Sequence, residues 1–88
     1  MYELQVREST DETIRKFVKK NKKLLEILDK KINEIKVNPY KFKSLRAPMQ
    51  GYWRVHIAGS YVLTYSINEK NKIVILEDLD HHDNVYNK

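Results

Sequence analysis

Arg54 and His56 are the two residues whose types and spacing most directly suggest chemistry. They lie in the stretch YWRVHIAGSYVLTYSI, Tyr52 to Ile67. On a β-strand, residues two apart share a face and stand about 7 Å from one another. Histidine exchanges protons near neutral pH. Arginine offers a planar fork of donors to phosphate oxygens. A polar face carrying both groups suits a floor on which RNA is placed and cut. Each residue also has a plainer reading, as an exposed strand arginine and as a hydrogen-bonded surface histidine.

The stretch reads as two strands joined by a turn at Ala58-Gly59-Ser60. Alternation points Val55, Ile57, Tyr61, Leu63, Tyr65 and Ile67 to one side, with Trp53, and Arg54, His56, Val62, Thr64 and Ser66 to the other. Upstream, Tyr2, Leu4 and Val6 alternate with polar residues, which predicts a half-buried strand. Ser9 and Glu12 have capping-box spacing, so a helix is expected from about Thr10, with Ile14, Phe17 and Val18 on its apolar face. The run Lys19 to Lys23 is polar enough to be a turn between helices, or the polar stretch of one helix that runs through it. Leu24, Leu25, Leu28, Ile32 and Ile35 then mark one face of a second helix, ended by Val37-Asn38-Pro39. Residues 39–51 read as a loop, Lys72 to Leu79 as a further strand buried on both faces, and Asp80 to Lys88 as a polar tail. The expected order is β-α-α-β-β-β: an α+β domain spanning 1–88, with an antiparallel sheet and a helical hairpin packed on one face.

Composition narrows the function classes. The chain of 88 residues is 41% hydrophobic and 33% charged, which fits one small globular domain. No apolar run is long enough to span a membrane, nothing at the N-terminus resembles a signal peptide, and there is no cysteine, which together fit the cytoplasm. Residues 15–46 carry twelve basic side chains against three acidic ones, a net +9, so the rest of this +5 chain carries −4. A basic half suits phosphate or an acidic protein partner; solvated helix lysines are the plainer reading. With two glycines in the chain there is no phosphate-cradling loop, and no cofactor is expected. The adjacent His81 and His82 point apart on a strand, so no metal site is expected either.

An ordered set of short motifs carries a resemblance. Asn38-Pro39-Tyr40, Lys43-Ser44-Leu45, Gly51-Tyr52-Trp53-Arg54-Val55, Tyr61 with Tyr65, and Asp80-His81-His82-Asp83-Asn84-Val85-Tyr86 resemble the RelE/ParE toxin superfamily, most closely its RelE-type members. The resemblance implies a toxin of a type II toxin–antitoxin system with a cognate antitoxin as partner. It implies a ribosome-dependent endoribonuclease that cleaves messenger RNA without a metal, by attack of the 2′-hydroxyl on the adjacent phosphate. ParE-type relatives share the fold and inhibit DNA gyrase, so a non-catalytic gyrase inhibitor, or an inactive antitoxin-binding protein, is the alternative.

Carried over by position, the resemblance assigns the phosphate to Arg54 and proton transfer to His56. It adds His82 and Tyr86 from the tail, which would face that pair if the tail folds back over the sheet. Lys41, Lys43 and Arg46 become contacts to the RNA backbone, or a solvated loop. Three positions depart from the family's usual arginines. The arginine after the tyrosine of the next strand is Val62 here, the second basic position on the preceding strand is His56, and the His-Arg pair of the tail is His81-His82.

Overall fold

The computed structural model describes residues 1–45 and 50–82. Arg46 and Tyr86, two of the expected site residues, lie outside the described residues. Strand β1 (Glu3–Val6) leads into helices α1 (Glu8–Lys20) and α2 (Lys22–Val37). Four strands follow: β2 (Lys43–Ser44), β3 (Tyr52–Ile57), β4 (Tyr61–Asn68) and β5 (Ile73–His81). The sheet runs β1-β5-β4-β3-β2. No helix among the described residues is long and apolar enough to cross a membrane.

The fold is the expected α+β sheet with two helices, with corrections in detail. The sheet is mixed, not purely antiparallel, because β1 pairs parallel to β5, Leu4 opposite Val74 and Val6 opposite Leu76. Apolar alternation looks the same whichever way a strand runs, so sequence could not give its direction. Lys43 and Ser44 were expected in a loop but pair with Arg54 and Trp53, and so form a short edge strand.

Helix α1 begins at Glu8, two residues before the position that the Ser9–Glu12 spacing predicts. The N-cap is Arg7, with no side-chain cap. Strand β1 decides this: Arg7 N–H still donates to the Leu76 carbonyl of β5 (3.1 Å), so the chain passes directly from ladder to helix. Ser9 therefore falls inside the first turn, where its carbonyl accepts the Thr13 hydroxyl at 3.0 Å. The expected break between the helices is one residue, Asn21, whose side chain accepts from Lys23 N–H and caps α2.

Helix α2 packs Leu28 and Ile35 against Val55, Ile57, Leu63, Tyr65, Val74, Leu76 and Leu79 of the sheet. Each such side chain contributes about 1.5–3 kcal/mol by leaving water. Ile27, not Leu25, completes the helix stripe; Leu25 is 45% exposed. Pro39 follows the helix end, and its carbonyl accepts the hydroxyl of the buried Tyr65 at 2.6 Å.

Candidate active site

The hairpin β3–β4 builds the polar face as its alternation predicts. Its register places Arg54 opposite Thr64 and His56 opposite Val62. Lys43 stands opposite Arg54 on the other side, so three neighbouring strands contribute the row Lys43, Arg54, Thr64. Val62 and Thr64 are buried at 0% and 3% exposure. They form a low floor between the longer side chains of β3 and β5.

The connection between Ile57 and Tyr61 sets the far end of the site. Ala58 and Gly59 both adopt left-handed backbone, with φ of 53° and 77°. The turn leaves the Ser60 carbonyl free to accept the N–H of His82 at 2.8 Å. That bond anchors the chain just after β5 beside His56. The two imidazoles consequently lie with centroids 5.6 Å apart and planes inclined by 25°. His81 goes the other way, edge-on to Tyr61 at 5.7 Å, which in turn meets Phe17 of α1 at 4.6 Å.

Electrostatics distinguish His56. Its pKa is held below the ordinary histidine value, first by partial burial and then by the positive charges of Arg54, His82 and Lys43. A neutral imidazole beside a guanidinium is a proton acceptor next to an anion holder.

The structure therefore brings Arg54, His56, His82 and Lys43 to one face. Lys41 is directed elsewhere: its ammonium bonds Glu34 of α2 at 2.8 Å and lies 5.7 Å from the Phe42 ring centre.

Sequence reasoning missed the acidic side of this face. Strand β5 shifts register opposite Thr64 and Tyr65, so that Asp78 faces Thr64 while Leu76 faces Tyr65. The extra residue, Glu77, is a β-bulge. It turns Asp78 and Asp80 onto the polar face, across Thr64 and Val62 from Arg54 and His56. A signal existed. Strict alternation from Val74 and Leu76 would have driven both aspartates into the core, at a cost that no stable domain carries. Thr10, 2% exposed, donates to the Glu77 carbonyl at 2.7 Å and holds the bulge. The Glu77 carboxylate accepts from Arg7 (2.8 Å) and Ser66 (2.6 Å). Burial pushes its pKa up, yet those two bonds prevail and the net shift is downward.

Comparisons with known proteins bear on the family and the fold. The family model described as ParE toxin of type II toxin–antitoxin system, parDE, matches residues 5–86. A curated relative from Methanocaldococcus jannaschii, named as toxin RelE4, is 46% identical over 88 residues, covering 100% of this chain and 94% of its own. Among solved structures, the isolated RelE toxin of E. coli superposes with a TM-score of 0.78 at 21% identity, covering 99% of this chain and 93% of that one. The toxin–antitoxin complex RelBE2 of Mycobacterium tuberculosis gives 0.76 at 20% identity, covering 92% and 98%. At such identities the structural likeness carries the fold alone.

Proposed function

The chain belongs to the RelE/ParE superfamily of toxins of type II toxin–antitoxin systems, and from that premise we propose that it is a ribosome-dependent endoribonuclease that cuts messenger RNA. The observation that carries this reading is the convergence of Arg54, His56 and His82 on one face of the sheet, with the two imidazoles 5.6 Å apart.

In this mechanism neutral His56 takes the proton of a ribose 2′-hydroxyl. The freed oxygen attacks the adjacent phosphorus, and the bond from phosphorus to the 5′-oxygen breaks. That oxygen leaves with a proton donated by His82. The products are a 2′,3′-cyclic phosphate and a 5′-hydroxyl end. Arg54 holds the negative charge that builds on the phosphate oxygens, with Lys43 beside it. Tyr86, which lies outside the described residues, is assigned the role of a second proton acceptor or of a platform for an unpaired base, the latter contact contributing about 1–3 kcal/mol. Arg46 and Lys43 bind the RNA backbone, and Lys41 adds to the basic field while it braces α2. The partners are message on the ribosome, in the cytoplasm, and a cognate antitoxin; the toxin–antitoxin complex among the structural relatives supports the antitoxin.

The test is a reconstituted translation reaction. Adding the protein should generate new 5′-hydroxyl ends within the message. Arg54→Ala should lower the rate by about 10²–10³, the scale of losing one charge-stabilising donor. Message that stays intact on translating ribosomes would overturn the reading.

One observation favours the alternative. Where the family has an arginine, Val62 is fully buried in the middle of the floor, so one cation of the family's pattern is absent. A non-catalytic gyrase inhibitor, or an inactive antitoxin-binding protein, would have this feature. Accumulation of cleaved gyrase–DNA complexes on expression identifies the first; normal growth with antitoxin binding intact identifies the second.

A further inference from the structure

Strand β3 carries a third residue on the face of Arg54 and His56. Tyr52 stands two positions before Arg54, so its side chain rises about 7 Å along the same face. Among the described residues, Tyr2, Phe42, Trp53 and Tyr61 pack their rings against the core and Tyr52 does not. Its ring is half-buried on the open side of the sheet.

From Tyr52 a polar row crosses to the far edge. Tyr52 pairs opposite Ser66 of β4. The Ser66 hydroxyl donates to Glu77 at 2.6 Å, and Glu77 accepts Arg7 Nε at 2.8 Å and Arg7 Nη2, more loosely, at 3.5 Å. Arg7 reaches this face because Leu4 and Val6 turn to the core and the positions between and after them turn away. The Glu77 side chain is 15% exposed and that of Arg7 59%, so the carboxylate lies beneath and the guanidinium on top. Glu77 takes two of the five N–H donors of a guanidinium and leaves the others facing outward. The Arg7 pKa is raised, first by the hydrogen bond and charge of Glu77, and the Tyr52 phenol is close enough to add to it. Stability alone gives little reason for this arrangement, since an ion pair with so exposed a partner contributes little. Bulges re-aim side chains beside functional sites, and the bulge at Glu77 is what sets the carboxylate under Arg7.

We infer that Tyr52, Ser66 and Arg7 form a second nucleotide subsite, one step along the sheet from Arg54, for the nucleotide next to the scissile linkage. The base stacks on the Tyr52 ring, and its phosphate takes the outward donors of Arg7. The inference rests on the reading that the Arg54 face handles RNA, and adds where the strand runs beyond the cut. An aromatic face accepts any base and Arg7 meets only the backbone, so the subsite positions message without selecting its sequence.

The first test measures cleavage on message-programmed ribosomes. Tyr52→Ala and Tyr52→Leu should each raise KM by about tenfold or more while kcat changes by less than about twofold, the signature of binding shared by ground and transition states. Tyr52→Trp, which keeps an aromatic face, should recover the parent KM. The second test titrates the full chain with a ten-nucleotide single-stranded RNA bearing 2′-O-methyl groups throughout, which no 2′-oxygen attack can cut. It should shift the Tyr52 ring and Arg7 Nε–H resonances together with that of Arg54, leaving the Phe17 ring on the helical side in place. Arg7→Gln should flatten the slope of log affinity against log salt by about 0.7, the single-strand value for one phosphate. Leucine performing as well as tryptophan at position 52, an unchanged salt slope, or shifts that are confined to Arg54 and His56 or absent altogether would each overturn the subsite. A deca-glutamate peptide that shifts Tyr52 and Arg7 as strongly as the RNA would mark a protein-binding surface and overturn it too. The enzymatic reading fails separately: shifts at Tyr52 and Arg7 with message left uncut on the ribosome keep the subsite and remove the cleavage.

Discussion

At the scale of single residues, His56 carries the most specific expectation. Its pKa is lowered by partial burial first, and then by three neighbouring cations, one of them Lys43. Removing a cation relieves the protonated imidazole, so Lys43→Gln should raise the His56 midpoint toward the ordinary value near 6.5. The neutral, proton-accepting form then gives way at a higher pH, and the acidic limb of the cleavage rate should move up with it. An NMR titration of the His56 ring in parent and variant reads the shift; an unchanged or lower midpoint would contradict the assignment of causes. Tyr65 makes a second, structural case. It is fully buried, burial pushes its phenol pKa well up, and its hydroxyl meets the Pro39 carbonyl. Tyr65→Phe keeps the ring and strips the donor, which should cost about 1–3 kcal/mol in urea unfolding by leaving a buried acceptor unpaired. Arg54 and His56 were legible in the sequence because two-residue spacing on a clear strand fixes a shared face. His82 was legible only through resemblance, since the bond that brings it to His56 is between backbone atoms of His82 and Ser60, and side-chain pattern says nothing about such bonds.

At the scale of elements, the site depends on two irregularities in otherwise regular strands. The first is the bulge at Glu77, pinned from above by the Thr10 hydroxyl. Thr10→Val preserves shape but leaves the Glu77 carbonyl without its donor. The expected loss is about 1–3 kcal/mol, seen as a lower urea midpoint with an unchanged slope. The amides of Asp78 and Asp80 should also exchange faster with solvent, which a uniform loss of stability would not confine to that segment. The second irregularity is the β3–β4 turn. A Cβ on Gly59 would meet nothing within 4 Å, so the cost of Gly59→Ala comes from its φ of 77° alone. That cost is about 1–2 kcal/mol for a left-handed alanine. Strands and helices were readable because each has a strong apolar period. The bulge, the parallel pairing of β1 and the two-residue β2 were not, because each is settled by a neighbour distant in sequence. The false capping box at Ser9 has the same origin: a local signal was overruled when β1 carried its ladder up to Arg7.

At the scale of the molecule, charge is divided between a basic helical half and a more acidic remainder, and a single carboxylate joins three distant segments. Glu69, in the β4–β5 turn, accepts from Tyr2 beside β1 at 2.7 Å and from Tyr40 after α2 at 2.9 Å. It also pairs with Lys72 across the turn. Tyr40 sits edge-on to Trp53 of β3 at 5.3 Å, so the cluster reaches the strand that carries Arg54. The hydrogen bond from Lys72 leads those from Tyr2 and Tyr40 in lowering the Glu69 pKa from 4.5 to about 2. The sign follows from linkage. A carboxylate with a depressed folded-state pKa stabilises the fold above its unfolded value, and that stabilisation drains away as the pH falls through the folded value. The parent should therefore melt at a higher temperature than Glu69→Gln above about pH 5, where the unfolded carboxyl is ionised. The difference should shrink steadily as the pH falls from 4.5 toward 2. Thermal unfolding of both proteins across that range reads it directly. A gap between the two melting temperatures that stays constant with pH would mean that the tyrosines hold Glu69 equally well with its proton on, and that this corner is joined by shape, not charge.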